Sequence, residues 1–226
     1  MTPTQQMLAL IAAAYVLGSV PFGLLVGLAK GIDPRKAGSG NIGATNLGRL
    51  LGGRYFAIVF TLDFLKGLIP TLAASWVVHR QGGQKGTEIY LLWLAVAFAA
   101  ILGHMFSLFL GFKGGKGVAT STGVMLGVFP DYTVAALIVV IVWAVFFMAR
   151  RMVSLASIAA AVAFPLVYVG VSIALGRDVL GPRWPLLAFA VLVGAMVIWK
   201  HRSNIARLRA GTEPAFRKPK SVEVAP

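Results

Sequence analysis

Apolar runs at 8–29, 55–78, 89–112 and 133–149 leave this chain few ways to fold. A helix needs about 20 such residues to cross the hydrocarbon core of a bilayer, with shorter spans down to about 17. In lipid the backbone polar groups must be satisfied within the segment, so these runs are helices unless strands close into a barrel. The two-residue alternation of a lipid-facing barrel strand is weak here. A hydrophobic share of 58% against 12% charged residues also lies far from the composition of a soluble domain. The expected fold is an all-α polytopic integral membrane protein. The first run is too long for a signal peptide, lacks a basic segment before Lys30 and contains Gly18-Ser19-Val20-Pro21, so it reads as a retained span. The chain has no cysteine, which removes disulfides and thiol chemistry.

Seven spans are expected, at roughly 5–29, 55–78, 88–112, 118–129, 132–149, 154–175 and 185–200. The fourth is too short to cross by itself if straight; it is either tilted or half of a hairpin with the fifth, and five full spans with a re-entrant pair satisfy the same pattern. The net charge of +14 is concentrated in alternate loops. Lys30, Arg35, Lys36, Arg49 and Arg54 share one; Lys113 and Lys116 a second; Arg150 and Arg151 a third; and seven cations fall between Lys200 and Lys220. The remaining loops carry Arg80, Lys85, Arg177 and Arg183. By the positive-inside rule the first group is cytoplasmic, with the N-terminus outside and the C-terminus inside. Residues 1–212 read as one membrane domain without an internal repeat, and 213–226 as a basic, disordered cytoplasmic tail.

Two of the cytoplasmic stretches are built to hold phosphate. Residues 38–46 run Gly-Ser-Gly-Asn-Ile-Gly-Ala-Thr-Asn and close on Arg49. Ser39, Asn41, Thr45 and Asn46 offer short donors, and an arginine can hold a phosphate with two parallel bonds. Around Lys113 and Lys116, Gly114, Gly115 and Gly117 precede a helical segment at Val118. A helix start with free amides and a positive dipole end attracts anions. The stretch is not a nucleotide P-loop: the glycine spacing is one residue short, and Gly117 stands where a magnesium-binding hydroxyl belongs. The bland alternatives are a solvated loop and a tight turn with snorkelling lysines.

Other polar residues sit at the same depth. His104 ends the third span, and His201 with Asn204 ends the last, with Arg202 and Arg207 beside them. These are candidate substrate contacts; no carboxylate or third histidine joins them, so no metal site is expected. Ser154 follows Arg151 and reads as a helix N-cap as well as a phosphate contact. Asp63 and Lys66, three apart in the second span, are either a structural pair or a support for the site. Asp33 and Asp63 are the acids on these loops and spans before Glu213, so no carboxylate base is evident. A phosphate dianion with a pKa near about 6 can take a proton instead.

These strings, together with Asp63-Phe-Leu-Lys66-Gly67, Gly103-His104, the run Phe-Lys-Gly-Gly-Lys-Gly-Val-Ala-Thr at 112–120, Ser-Leu-Ala-Ser-Ile at 154–158 and His201-Arg-x-Asn-Ile205, resemble the bacterial acyl-phosphate:glycerol-3-phosphate acyltransferases, the PlsY family. The likeness runs through most of the chain in the family's order. Ser107 is a departure, standing where the family pattern has proline. The resemblance implies a multi-pass enzyme of the bacterial inner membrane, active on the cytoplasmic side, without cofactor. It implies acyl transfer from acyl phosphate to the 1-hydroxyl of glycerol 3-phosphate, giving 1-acyl-glycerol 3-phosphate, the first acylation of phospholipid synthesis. Its partners are the two substrates and membrane lipid, with no nucleic acid, and a monomer is expected.

The mechanism so implied is direct transfer, because an acyl phosphate is already a mixed anhydride. Ser39, Lys116 and the amides at 114–117 are expected to hold the donor phosphate. Arg49, Lys113, His201 and Asn204 are expected to hold the acceptor phosphate and aim its hydroxyl. The acyl chain is expected between spans. The reading from another class is a membrane transporter of organic phosphates, which wants mid-membrane polar groups from several spans. An acyl-CoA enzyme of the His-x-x-x-x-Asp type is a third reading, and here Phe109 stands where that aspartate belongs.

Overall fold

The computed structural model describes residues 1–80 and 86–216. Ten α-helices and one 3-10 turn, with no strand, make up the described residues. They are α1 (Pro3–Ser19), α2 (Phe22–Leu28), α3 (Ala44–Leu51), α4 (Gly53–Arg80), α5 (Thr87–Met105), α6 (Val118–Gly127), α7 (Thr133–Arg150), α8 (Val153–Ala174), α9 (Trp184–Lys200) and α10 (Arg202–Arg209). Five spans pass on length and hydropathy: α1 with α2, α4, α5 with its following turn, α7 and α8. A sixth counts if α9 and α10, bent by 61°, are taken together. α6 is an apolar helix of 10 residues, about 15 Å long and too short to cross a bilayer unaided.

Small residues let the helices touch. Gly103 of α5 lies against the Tyr15 carbonyl of α1, and Gly18 of α1 against that of Ala100, so a side chain at either would overlap backbone. Gly67 and Gly123 do the same between α4 and α6. In lipid, where burial of apolar surface gives no drive, such close packing holds helices together. A central core contains Trp93, Tyr90, Tyr132 and Ile101, all fully buried. A second, smaller cluster of Leu47, Ala44 and Val59 seats α3 on α4.

The first expected span is broken. Pro21 has no N–H to continue the ladder, and α1 stops at Ser19 before α2 begins. The freed carbonyls find partners elsewhere: Lys66 Nζ donates to Val20 O at 2.9 Å and Ser107 Oγ to Ser19 O at 2.6 Å. Ser107 thus keeps the break after α5, where proline was expected, by bonding across to the break in α1. The last-turn carbonyls of α5 are likewise taken, His104 O by Gly115 N, Met105 O by Lys200 Nζ and Phe106 O by the Tyr15 hydroxyl. The expected cap at Ser154 does not form. Met152 occupies the cap position of α8, and Ser154 lies inside the first turn.

Residues 213–216, expected as the start of a free tail, are packed. Glu213 is 5% exposed, Phe216 N donates to Arg151 O at 2.6 Å, and the Phe216 ring meets Phe56 at 5.3 Å. Lys85 and residues 217–226 lie outside the described residues.

Candidate active site

Four helix N-termini border one polar cavity of about 100 Å³. Its wall includes Gly43, Ala44 and Thr45 at the start of α3; Gly117, Val118 and Ala119 at the start of α6; Val153 and Ser154 at the start of α8; and His201 before α10. The first amides of a helix have no intrahelical partner, and each such end carries a partial positive charge. Helix ends of this kind suit an anion. Gly117, at φ +84°, is the turn that starts α6 there, in a region where a Cβ is strained.

Side chains add full charge. Arg49, Lys116 and Arg207 line the cavity, against Glu213. Arg49 Nη2 donates to Pro214 O at 2.8 Å, while its Nε is buried without a partner. Lys116 Nζ donates to Asn204 Oδ1. Burial draws the Lys116 pKa down to about 8, opposed by the nearby Glu213 carboxylate. Glu213 accepts from Ser154 Oγ, Asn204 Nδ2 and Arg207 Nε, each at 2.7 Å. Burial alone raises a carboxyl pKa; these three hydrogen bonds outweigh it and hold Glu213 below its ordinary value. A carboxylate so engaged is a poor proton acceptor. The site therefore contains a carboxylate that the sequence reading did not place there, and it is not one suited to act as a base.

His201 is 3% exposed, and its Nδ1 lies 2.7 Å from Val197 O. A carbonyl only accepts, so Nδ1 carries the proton and Nε2 of the neutral ring is an acceptor. Ser39, Asn41 and Thr45 line the cavity. Asn46 lines it too, but its side chain is already occupied. Its Nδ2 donates to Pro34 O, Ala37 O and Asn41 O, and its Oδ1 accepts Ser39 N at 2.9 Å. Asn46 ties the loop together instead of reaching a ligand.

The second glycine stretch also divides. Gly115 N is spent on His104 O at 3.0 Å. A side chain at Gly114 would overlap His104 O, and one at Gly115 the His104 imidazole. Those two glycines serve close packing on α5, and the free amides belong to the first turn of α6. Lys113 is exposed and does not line the cavity; Gly111 and Phe112, both at positive φ, turn the chain outward before it. His104 lines the cavity from behind Gly115, with Asp63, whose carboxylate pairs with Lys66 at 2.8 Å.

An apolar cavity of about 290 Å³ adjoins the polar one and shares Phe56, Phe60, Val118, Trp143 and Ser157 with it. From there it continues between α6, α7, α8 and α9 to Met125 and Phe164. Trp143 Nε1 donates to Ser157 Oγ at 3.2 Å at the junction. Among the described residues no three His, Cys, Asp or Glu side chains are grouped so as to hold a metal ion. Sequence reading missed Glu213, Arg207 as a cavity residue, and the aromatic junction. A lone glutamate in a basic stretch was the available signal for the first.

The site is thus a cationic pocket that opens on an apolar groove inside an apolar helical bundle. The pattern of the glycerol-3-phosphate acyltransferase family matches residues 8–211. A glycerol-3-phosphate acyltransferase of Aquifex aeolicus is 42% identical, covering 92% of this chain and 97% of its own. One from Geobacter metallireducens is 46% identical over 92% and 96%. The crystal structure of PlsY (YgiH), an integral membrane glycerol 3-phosphate acyltransferase, in its glycerol 3-phosphate form superposes with a TM-score of 0.78 at 42% identity, covering 93% of this chain and 96% of that one. The lysophosphatidic acid form gives 0.76. This chain belongs to the glycerol-3-phosphate acyltransferase family.

Proposed function

We propose that the protein transfers an acyl group from acyl phosphate to the 1-hydroxyl of glycerol 3-phosphate, releasing phosphate and 1-acyl-glycerol 3-phosphate for phospholipid synthesis. The observation that carries this is the shared wall between the two cavities. A phosphate in the cationic pocket has an apolar groove directly beside it, which is the shape of an acyl phosphate. Arg49, Lys116 and Arg207 against Glu213 leave the pocket wall net positive, as phosphate binding requires.

In this reading the glycerol 1-oxygen bonds to the acyl carbon and the acyl–phosphate oxygen bond breaks. The hydroxyl proton passes to the phosphate being released, since the Glu213 oxygens already accept from three donors and Asp63 is paired. Ser39, Lys116 and the first amides of α6 hold the donor phosphate and its growing charge. Arg49 with its free Nε, His201 and Asn204 hold and orient the acceptor. Lys116 and Asn204 are bonded to each other, so the two phosphate positions share a border.

We read seven spans, with α6 as the short fourth, an outside N-terminus and the pocket at the cytoplasmic face of the inner membrane. The clustering of Arg49, Lys116, Arg151, Arg202 and Arg207 at the pocket end supports this. The test is purified protein with labelled glycerol 3-phosphate and either acyl phosphate or acyl-CoA, scored for lysophosphatidate. Product from acyl phosphate alone is expected. Product only from acyl-CoA overturns the donor assignment. No product, with phosphate-ester uptake into liposomes, supports an organic-phosphate transporter instead.

A further inference from the structure

One buried cluster is not used by the chemistry above. Asp63, Lys66 and His104 are 4%, 2% and 5% exposed inside the bundle. Asp63 Oδ1 pairs with Lys66 Nζ at 2.8 Å and lies 3.6 Å from His104 Nδ1. That nitrogen is buried and has no hydrogen-bond partner. An ion pair at i,i+3 is complete with Asp63 and Lys66; nothing about neutralising charge in lipid calls for a histidine beside it.

Each side chain beside Asp63 leads to a different glycine loop. His104 accepts Gly115 N through its carbonyl, and its ring lies against Gly115, where a side chain would overlap it. Lys66 donates to Val20 O at 2.9 Å, in the break between α1 and α2. Three residues on, Gly23 of α2 lies against Ile42 O, inside the 38–46 loop. Thr120 Oγ1 donates to Asp63 O at 2.9 Å, so the carbonyl of the same residue also holds the first turn of α6.

We propose that Asp63 is a positioning residue that sets both phosphate-binding loops from one carboxylate: residues 113–120 through His104, and residues 38–46 through Lys66 and α2. The inference rests on the acyl-transfer reading for its kinetic effect but not for its structural effect. Because the two loops both line one cavity, a common anchor fixes their relative position. A misplacement of about 1 Å in a reacting pair costs about 100-fold in rate.

The test uses the intact protein in detergent with three readouts: melting temperature, amide hydrogen exchange resolved along the chain, and kcat and KM for each substrate. The informative variant is the double substitution Asp63→Leu with Lys66→Met. Replacing both members of a buried pair by apolar groups of similar outline is commonly neutral for stability. A role confined to mutual neutralisation therefore predicts a folded and fully active enzyme. Positioning predicts a folded enzyme with kcat lowered about 100-fold and faster exchange at both 38–46 and 113–120. His104→Ala leaves the ion pair intact, so it reports if the double variant does not fold. It is expected to raise exchange at 113–120 while 38–46 stays protected. Wild-type rates and unchanged exchange in either folded variant overturn the proposal. So does a uniform rise of exchange along the whole chain. If the wild-type enzyme makes no product from acyl phosphate, the acyl-transfer reading fails by itself, and the exchange pattern still decides this one.

Discussion

Lys116 has the clearest pH signature of any side chain in the pocket. Only its ammonium form attracts phosphate, and burial holds its pKa at about 8 in the free enzyme. The cation is present below that value and lost as pH rises through it. Because kcat/KM follows the free enzyme, kcat/KM for the donor is expected to fall above pH about 8. A flat profile to pH about 10 speaks against Lys116 as an anion ligand. Lys116 and Arg49 were legible from residue type and spacing. The roles of Asn46, Gly114 and Gly115 were not, because a glycine or a short amide looks alike whether it meets a ligand or a neighbouring helix. Only the placement of His104 behind Gly115, and of three carbonyls around Asn46, separates the two uses.

Element ends, more than element interiors, make the site. The long apolar runs were visible because a helix in lipid needs an unbroken stretch of apolar residues. The breaks at Val20-Pro21 and at Phe106-Ser107 were only partly visible, since their carbonyls are satisfied by Lys66, Tyr15 and Lys200 from distant segments. Residues 213–216 were read as tail on basic composition alone. Their order comes from Glu213 closing on Ser154, Asn204 and Arg207, and from Phe216 on Phe56. A chain ending after Phe216 is therefore expected to keep wild-type activity and melting temperature. A chain ending after Thr212 is expected to lose both, because Asn204 and Arg207 then lack their acceptor inside the pocket. Equal behaviour of the two truncations contradicts this view of the segment.

Across the whole molecule, helix starts of α3, α6, α8 and α10 meet at one cavity, and an apolar groove leaves from it between α6, α7, α8 and α9. The groove runs about 10 Å from Ser157 to Phe164 at the helix rise per residue. A bulky side chain there, as in Ala160→Phe, is expected to raise KM for a long-chain acyl phosphate several-fold while sparing glycerol 3-phosphate. A rise confined to glycerol 3-phosphate contradicts the groove's role. The central claim is direct transfer between two bound phosphates, and single-turnover labelling tests it most directly. Enzyme mixed with labelled acyl phosphate, first alone and then with glycerol 3-phosphate, is expected to carry no acyl group on Ser39 or any other residue before the acceptor is added. Lysophosphatidate and phosphate then form in equal amounts. A labelled acyl-enzyme that accumulates without acceptor and is discharged by it would show a covalent route and contradict the account.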